Sequence, residues 1–343
     1  MADIDDQGVK RMEDIARIVG VSKSTVSRAL KNSSQISEKT KAKIRKIAFE
    51  HNYRLSGASW QWQESNMPAI TVVLPTGPGR RGRISEPFTM EMVGCIADEL
   101  LDRNHNMLLT KLPLENQDTT KTLLSIGPSE GVIIIGQRKE HYRIRQIARD
   151  IPNLIVWGAR LDDQNYCTVG SDNVEGGYMA TKHLLRLGRQ NIAYFGDLTA
   201  AEPRHRYMGY KKALEDTGFT VDPDLVVETP YDQLSAFAEA RSWLRLGFKF
   251  DAIFASSDVV AMSAIAAMRE SGISVPDDVA VVGYDDIPMA EYYQPPLTTV
   301  RQNLMEGSSM LVDKLLRMAE GNRVRSAVMP CELIIRQSCG SSK

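Results

Sequence analysis

Apolar positions along the chain follow two different periods. Between residues 12 and 48 the spacing is helical: Met12, Ile15, Ala16 and Val19 stand at i, i+3, i+4 and i+7, one face of a short helix. Gly20 can take the left-handed conformation that ends it, and Ser22 suits the N-cap of a second helix. In that helix Thr25, Val26, Ala29 and Leu30 can face inward, which leaves Lys23, Ser24, Ser27 and Arg28 outside. Ser37 caps a third helix, whose Ile44, Ile47 and Ala48 close a three-helix core. From residue 69 the pattern changes to continuous apolar runs: AITVVLP (69–75), NMLLTKL (106–112), GVIIIG (131–136) and LIVWG (154–158). A second series follows: YCTVGS (166–171), NIAYFG (191–196), DAIFAS (251–256) and VAVVGYDD (279–286). Helical patterns separate the runs. Strands covered on both faces read this way, and the alternation forces right-handed crossovers within parallel sheets. Two doubly wound lobes are predicted, with a ligand crevice at the carboxyl ends of their strands.

Two short helices joined by a tight glycine turn form a helix-turn-helix, whose second helix enters the major groove of DNA. Charge sharpens this reading. Between Gly8 and Leu55 twelve Lys or Arg face four Asp or Glu, a net of +8, whereas residues 67–343 hold 30 against 35. A basic run alone is ordinarily a solvated helix face, but here it accompanies a specific helical pattern. Lys23, Ser24 and Arg28 can reach base edges, and Arg28 can donate to guanine O6 and N7 together. Ser22, Ser27 and the lysines of the third helix suit phosphates.

At 343 residues the chain has room for two or three compact units. No apolar run approaches the roughly 18 residues a membrane span needs. The start, MADIDDQGVKR, is acidic and polar rather than a signal peptide, so the cytoplasm is the expected location. Cys95, Cys167, Cys331 and Cys339 form no CxxC pair, and the five histidines make no triad or metal cluster. Neither a GxxxxGK[ST] loop nor a GxGxxG turn is present, so no cofactor, metal or cradled nucleotide is expected.

The stretch DIARIVGVSKSTVSRALKNSSQISEKTKAKI, followed by HNYR, resembles the DNA-binding headpiece of the lactose-repressor (LacI/GalR) family of bacterial transcription regulators. The similarity continues through most of the chain. It implies an all-α helix-turn-helix headpiece (8–55), a hinge linker (56–67) and an α/β core (68–343) of two doubly wound parallel sheets, like periplasmic sugar-binding proteins. Lobe 1 would hold about 68–165 and 300–328, and lobe 2 about 166–299 and 329–343. PLTTVRQNL with helix 304–320 would return to the first lobe, and CELIIRQ to the second. Thr25 and Lys31 join Ser22, Lys23, Ser24, Ser27 and Arg28 as DNA-contacting positions. Two departures stand out in the head, Arg11 where a helix-capping threonine is usual and Lys31 where asparagine is common. In the linker, the position of the family's minor-groove leucine wedge falls on Trp62, within SGASWQWQ. Trp60 is placed to pack across a dimer, and Gly57 is an unfavourable helix residue.

For the crevice the resemblance assigns Arg206, in RHRYMGYKKAL, to effector hydroxyls and Asp285, in VVGYDD, to the acceptor carboxylate. Ser257 stands where asparagine is frequent, and Gln302 and Tyr231 complete the second-lobe and hinge side. Phe88 is the ring-facing residue from the first lobe, with Trp157 as another. Core packing is the plain alternative for Phe88, Trp157 and Tyr231. Asp285 and Asp286 cannot flank one bond as a glycosidase requires, since successive strand residues point to opposite faces; Asp286 serves structure.

These features imply a ligand-controlled repressor of a sugar-utilisation operon, released by a mono- or oligosaccharide and working as a twofold dimer on a pseudopalindromic operator. A corepressor mode with a non-sugar ligand is the alternative sign. The competing class is a cytoplasmic carbohydrate-binding protein or enzyme with a basic appendage. No catalytic constellation supports an enzyme. The chain stops without a leucine heptad tail, so a tetramer built through one is not expected.

Overall fold

In the computed structural model, the described residues are 12–30, 33, 35–37, 39–41, 43, 44, 47, 67–75, 86–113, 119–125 and 129–341. They fall into two compact units that divide between Asn66 and Met67. Arg11, Lys31, Ala48, Gly57, Trp60 and Trp62 lie outside the described residues.

In the first unit helix α1 (Met12–Val19) and helix α2 (Lys23–Leu30) follow the predicted spacing. Gly20 takes φ +77° between them, and Ser22 caps α2 by accepting from the Thr25 amide at 3.1 Å. The described positions 39–41, 43, 44 and 47 are helical, with Ser37 accepting from the Thr40 amide. Ile15, Ala16, Val26, Ala29 and Ile44 form the core, with Met12, Val19 and Ile47 packed around it.

The second unit holds two six-stranded sheets. The first contains β1 (Ala69–Pro75), β2 (Asn106–Leu112), β3 (Gly131–Ile135), β4 (Leu154–Trp157), β5 (Cys167–Ser171) and β11 (Ala327–Met329), in the order β11-β5-β4-β3-β1-β2. Every pairing in it is parallel. The second contains β6 (Ile192–Phe195), β7 (Val226–Val227), β8 (Ala252–Ala255), β9 (Ala280–Asp285), β10 (Thr298–Arg301) and β12 (Glu332–Ile334), in the order β12-β10-β9-β8-β6-β7. Here β12 alone runs antiparallel.

Helices cover both sheets. Those that bear on function are α3 (Pro87–Asp102), α4 (Thr119–Ser125), α5 (His141–Asp150), α6 (Asn173–Arg186), α7 (Ala201–Glu215), α8 (Gln233–Leu244), α9 (Asp258–Glu270), α10 (Met289–Tyr292) and α11 (Leu304–Ala319). Among the described residues no helix is long and apolar enough to cross a membrane.

Two strand assignments need correction. YCTVGS was expected to open the second lobe, yet β5 pairs with β4 and β11 in the first sheet. PLTTVRQNL was expected in the first lobe, yet β10 pairs with β9 in the second, and only α11 returns to pack beneath Trp157 and Leu100. An apolar run shows that a strand is buried but not which of two equivalent sheets it joins. The crossovers therefore fall at Asp172, at Gln302 and Asn303, and between Met329 and Glu332, all at the β5/β11 and β10/β12 edges.

Candidate functional site

On the headpiece Ser22, Lys23, Ser24 and Arg28 are exposed and Ser27 is half-buried, all on the side of α2 away from the core. Thr25 is half-buried, and its hydroxyl lies 2.8 Å from that of Ser22. Lys23 Nζ donates to Glu13 on α1 at 2.5 Å, so the first residue of α2 carries an acidic neighbour that its own pattern did not show. Arg28 has no ion-pair partner among the described residues.

In the core unit the site residues stand at carboxyl ends of strands, where the two lobes face one another. Arg206, on α7 just after β6, is 4% exposed. Its Nε donates to Asn173 Oδ1 at 2.8 Å, and one terminal nitrogen donates to the Ser256 carbonyl and, at 3.4 Å, to Asp285 Oδ1. The guanidinium also lies 3.6 Å from the centre of the Tyr284 ring. Burial alone would ease the proton off Arg206; Asp285 and the surrounding tyrosines reverse that and raise it.

Asp285 closes β9 with φ +116°, and Asp286 follows with φ +57°, two successive non-glycine residues in a sparsely populated region. Neighbouring contacts hold this turn. Asp258 accepts from the Ile287 amide at 2.9 Å and from Thr299 Oγ1 at 2.5 Å. Asp286 pairs with Arg301 Nε and with Arg336, each at 2.7 Å, the structural role its position implied. The turn leaves Asp285 Oδ1 accepting from Gln302 Nε2 at 2.7 Å, while Oδ2 has no protein partner among the described residues. Burial pushes the Asp285 carboxyl up to about 7 against the pull of Arg206, and Glu86 at the start of α3 adds to the rise. Burial likewise raises Asp258, with Asp285 as the second cause.

Gln302 accepts from Ser171 Oγ at 2.8 Å, which links the end of β5 to the end of β10. Phe88 is half-buried and packs against the apolar cores of both lobes. Tyr231 lies beside Arg206 and Glu202, and burial raises its phenol. Ser257 Oγ accepts from the Val260 amide at 3.2 Å and so caps α9, which occupies one of its lone pairs. Trp157 departs from expectation: it is 4% exposed in the first lobe's core, with Gly307 and Met329 against it. A strand end was enough to suggest the crevice, but residue 157 points to the side that α11 covers.

Three participants escaped the sequence reading. Asn173 opens α6 and orients Arg206, Tyr284 stacks beneath it, and Ser171 tethers Gln302. The run VGSDN carried the first and third, and VGYDD the second, but nothing in either run says what its side chains meet. Among the described residues no group of His, Cys, Asp or Glu is arranged to hold a metal ion. Two surface cavities of about 450 and 490 Å³ lie in the first lobe, against residues 160–166 and 318–326, and neither is lined by Arg206 or Asp285.

A helix-turn-helix unit and a two-lobed body with a polar crevice together define a DNA-binding protein with a ligand-binding core. Residues 11–56 match the model for bacterial regulatory proteins of the lacI family, and residues 181–339 that for a periplasmic binding protein-like domain. The chain is 32% identical over 335 residues to the HTH-type transcriptional regulator DegA of Bacillus subtilis (strain 168), covering 95% of this chain and 96% of that one. It is 25% identical over 341 residues to the HTH-type transcriptional repressor PurR of Haemophilus influenzae (strain PittEE), covering 96% and 98%. Among solved structures, the transcriptional regulator CelR in complex with cellobiose superposes with a TM-score of 0.71 at 27% identity, covering 96% of this chain and 99% of that one. The chain belongs to the lacI family. It is a DNA-binding transcriptional regulator and not an enzyme.

Proposed function

We propose that this regulator represses a sugar-utilisation operon and is released from its operator by a small saccharide held in the crevice. The observation that carries this reading is the cluster of Arg206, Asp285 and Gln302, a guanidinium, a carboxylate and a primary amide joined by hydrogen bonds at strand ends. Such groups pair with neighbouring hydroxyls, and Phe88 supplies an apolar face for a ring. Tyr231 and Ser257 complete the polar lining. The similarity to a regulator solved with cellobiose is in keeping with a saccharide. Closure of the lobes around the ligand favours the form that binds operator poorly, and the two populations shift by the ligand's differential affinity.

One headpiece reads too little groove for specificity, so we infer a cytoplasmic homodimer on a pseudopalindrome. Lys23, Ser24 and Arg28 read bases; Ser22, Ser27, Thr25 and Lys31 hold the backbone. The test compares the full chain with residues 67–343 in a thermal-shift screen against saccharides, purines and nucleosides, beside an operator gel-shift. A saccharide should raise the melting temperature of both proteins and lower the full chain's operator affinity. Only the shortened chain should fail to bind operator. A shift from a purine or nucleoside with none from any saccharide would overturn the sugar reading, and operator binding by residues 67–343 would overturn the headpiece assignment.

Trp62 is the proposed minor-groove wedge, since its flat apolar ring can enter a base step. In a variant keeping Trp62 as its one tryptophan, emission should quench on operator binding. Unchanged emission with operator bound rejects the wedge.

A further inference from the structure

Outside the three crossovers, one hydrogen bond joins the two lobes among the described residues: the main-chain N–H of Gln137 donates to Glu202 Oε1 at 3.1 Å. Gln137 follows β3 in the first lobe, and Glu202 lies in the first turn of α7 in the second. Sheet order sets its leverage. In the first sheet β4 separates β3 from the crossover strand β5, and in the second β8 and β9 separate β6 from β10. At a strand spacing of about 4.8 Å the contact sits roughly 10–14 Å from the crossover edge, where opening the crevice must break it.

Both partners are built to meet. Glu202 stands at the amino end of α7, where the helix field favours its negative charge, and Ala200 at the cap contributes no side-chain bond. An amide donating to a carboxylate makes a charge-assisted bond, stronger than an amide-to-amide one. On the other side Gln137 is fully buried and its side chain lies against Gly158, where an added Cβ would come within 2.9 Å. Its Nε2 donates to the Tyr166 hydroxyl at 3.0 Å, and that hydroxyl is 2.6 Å from His141 Nδ1. His141 Nε2 meets Asp163 at 2.7 Å, and Arg145 donates to the same carboxylate at 2.5 Å. This chain of contacts anchors Gln137 to α5 and to the segment before β5, so its N–H is held in one direction. Gln137 Oε1 is buried without a hydrogen-bond partner among the described residues.

We propose that Glu202 is a positioning residue that clasps the lobes shut through the Gln137 amide, with Tyr166 and His141 holding the receiving side in place. The clasp is independent of the identity of the effector. Glu202 lies beside Tyr231 at the margin of the crevice, and the clasp biases the closed form on which a ligand there acts.

Amide hydrogen exchange on the ligand-free full chain tests it. In Glu202→Ala the Gln137 amide should exchange at least about tenfold faster, while amides of Val132–Ile135 keep their rates and the urea midpoint stays near that of the parent. Glu202→Gln keeps an acceptor at the same place and should restore most of the protection. The radius of gyration from small-angle scattering should rise in the alanine variant and not in the glutamine one. An unchanged Gln137 rate in Glu202→Ala overturns the clasp. So does acceleration spread evenly over β3 and β4 with a lowered urea midpoint, because that is the signature of general destabilisation.

Discussion

Replacing Arg206 with methionine should weaken binding of the saccharide identified in the thermal-shift screen by at least about a hundredfold, since charge-assisted hydrogen bonds contribute roughly 1.5–3 kcal/mol each. Operator affinity without ligand should persist, because the headpiece is a separate compact unit. The variant should therefore repress without being released. Calorimetric titration and an operator gel-shift separate the two effects, and release at the parent's saccharide concentration would remove Arg206 from the site. Stability should respond in a pH-dependent way. The Asp285 carboxyl is pushed up to about 7 by burial even with Arg206 beside it. A carboxyl with a raised folded-state pKa favours its protonated form, so its contribution to stability is full below the unfolded value and is lost as pH climbs through the folded one. Removing Arg206 removes the strongest influence that lowers it and leaves the weaker one of the Gln302 hydrogen bond, so the carboxyl rises further. The variant's deficit relative to the parent should be small near about pH 5.5, where both hold the proton, and should widen above about pH 7. Urea midpoints across that range measure it. A deficit independent of pH would mean that Asp285 does not feel the loss.

Much of this organisation was legible in the order of residues, because helical and strand periodicities record which face is buried. The strands AITVVLP and NMLLTKL fall on β1 and β2 residue for residue, and Gly20 and Ser22 mark the turn of the headpiece. The strand ends picked out by the pattern also carry two candidate residues, since Arg206 follows β6 and Asp285 ends β9. What failed was the allocation of β5 and β10 between sheets, which depends on partners far along the chain. Trp157 failed for a related reason: pattern places a residue at a strand end but cannot say that Gly307 leaves a recess for its ring. The Glu13–Lys23 pair and the support of Arg206 by Asn173 were equally hidden, being contacts between elements rather than features of either.

That support depends on how closely α6 and α7 approach, and Gly177→Ala should expose it. An alanine Cβ at 177 would lie 2.0 Å from the Arg206 carbonyl oxygen, and one at Gly209 would lie 2.0 Å from the Val174 carbonyl oxygen. Carbon and oxygen in even a close C–H···O contact stay about 3.3 Å apart, so the helices must separate by about 1 Å. The atoms in the way are backbone, and no rotamer change relieves them. The expected cost is about 3 kcal/mol, the upper part of the range for overpacking. Because the obstructing carbonyl belongs to Arg206 itself, the same displacement should pull Nε away from Asn173 and weaken saccharide binding at least about tenfold. Gly94→Ala is the matched control. Gly94 is exposed on α3 with nothing within 4 Å of an added Cβ, so the same change there should stabilise by about 0.5–1 kcal/mol. Urea denaturation of the two variants should give shifts of opposite sign. A Gly177→Ala variant as stable as Gly94→Ala would mean that the helices are not in contact, and Arg206 would need another explanation for its orientation.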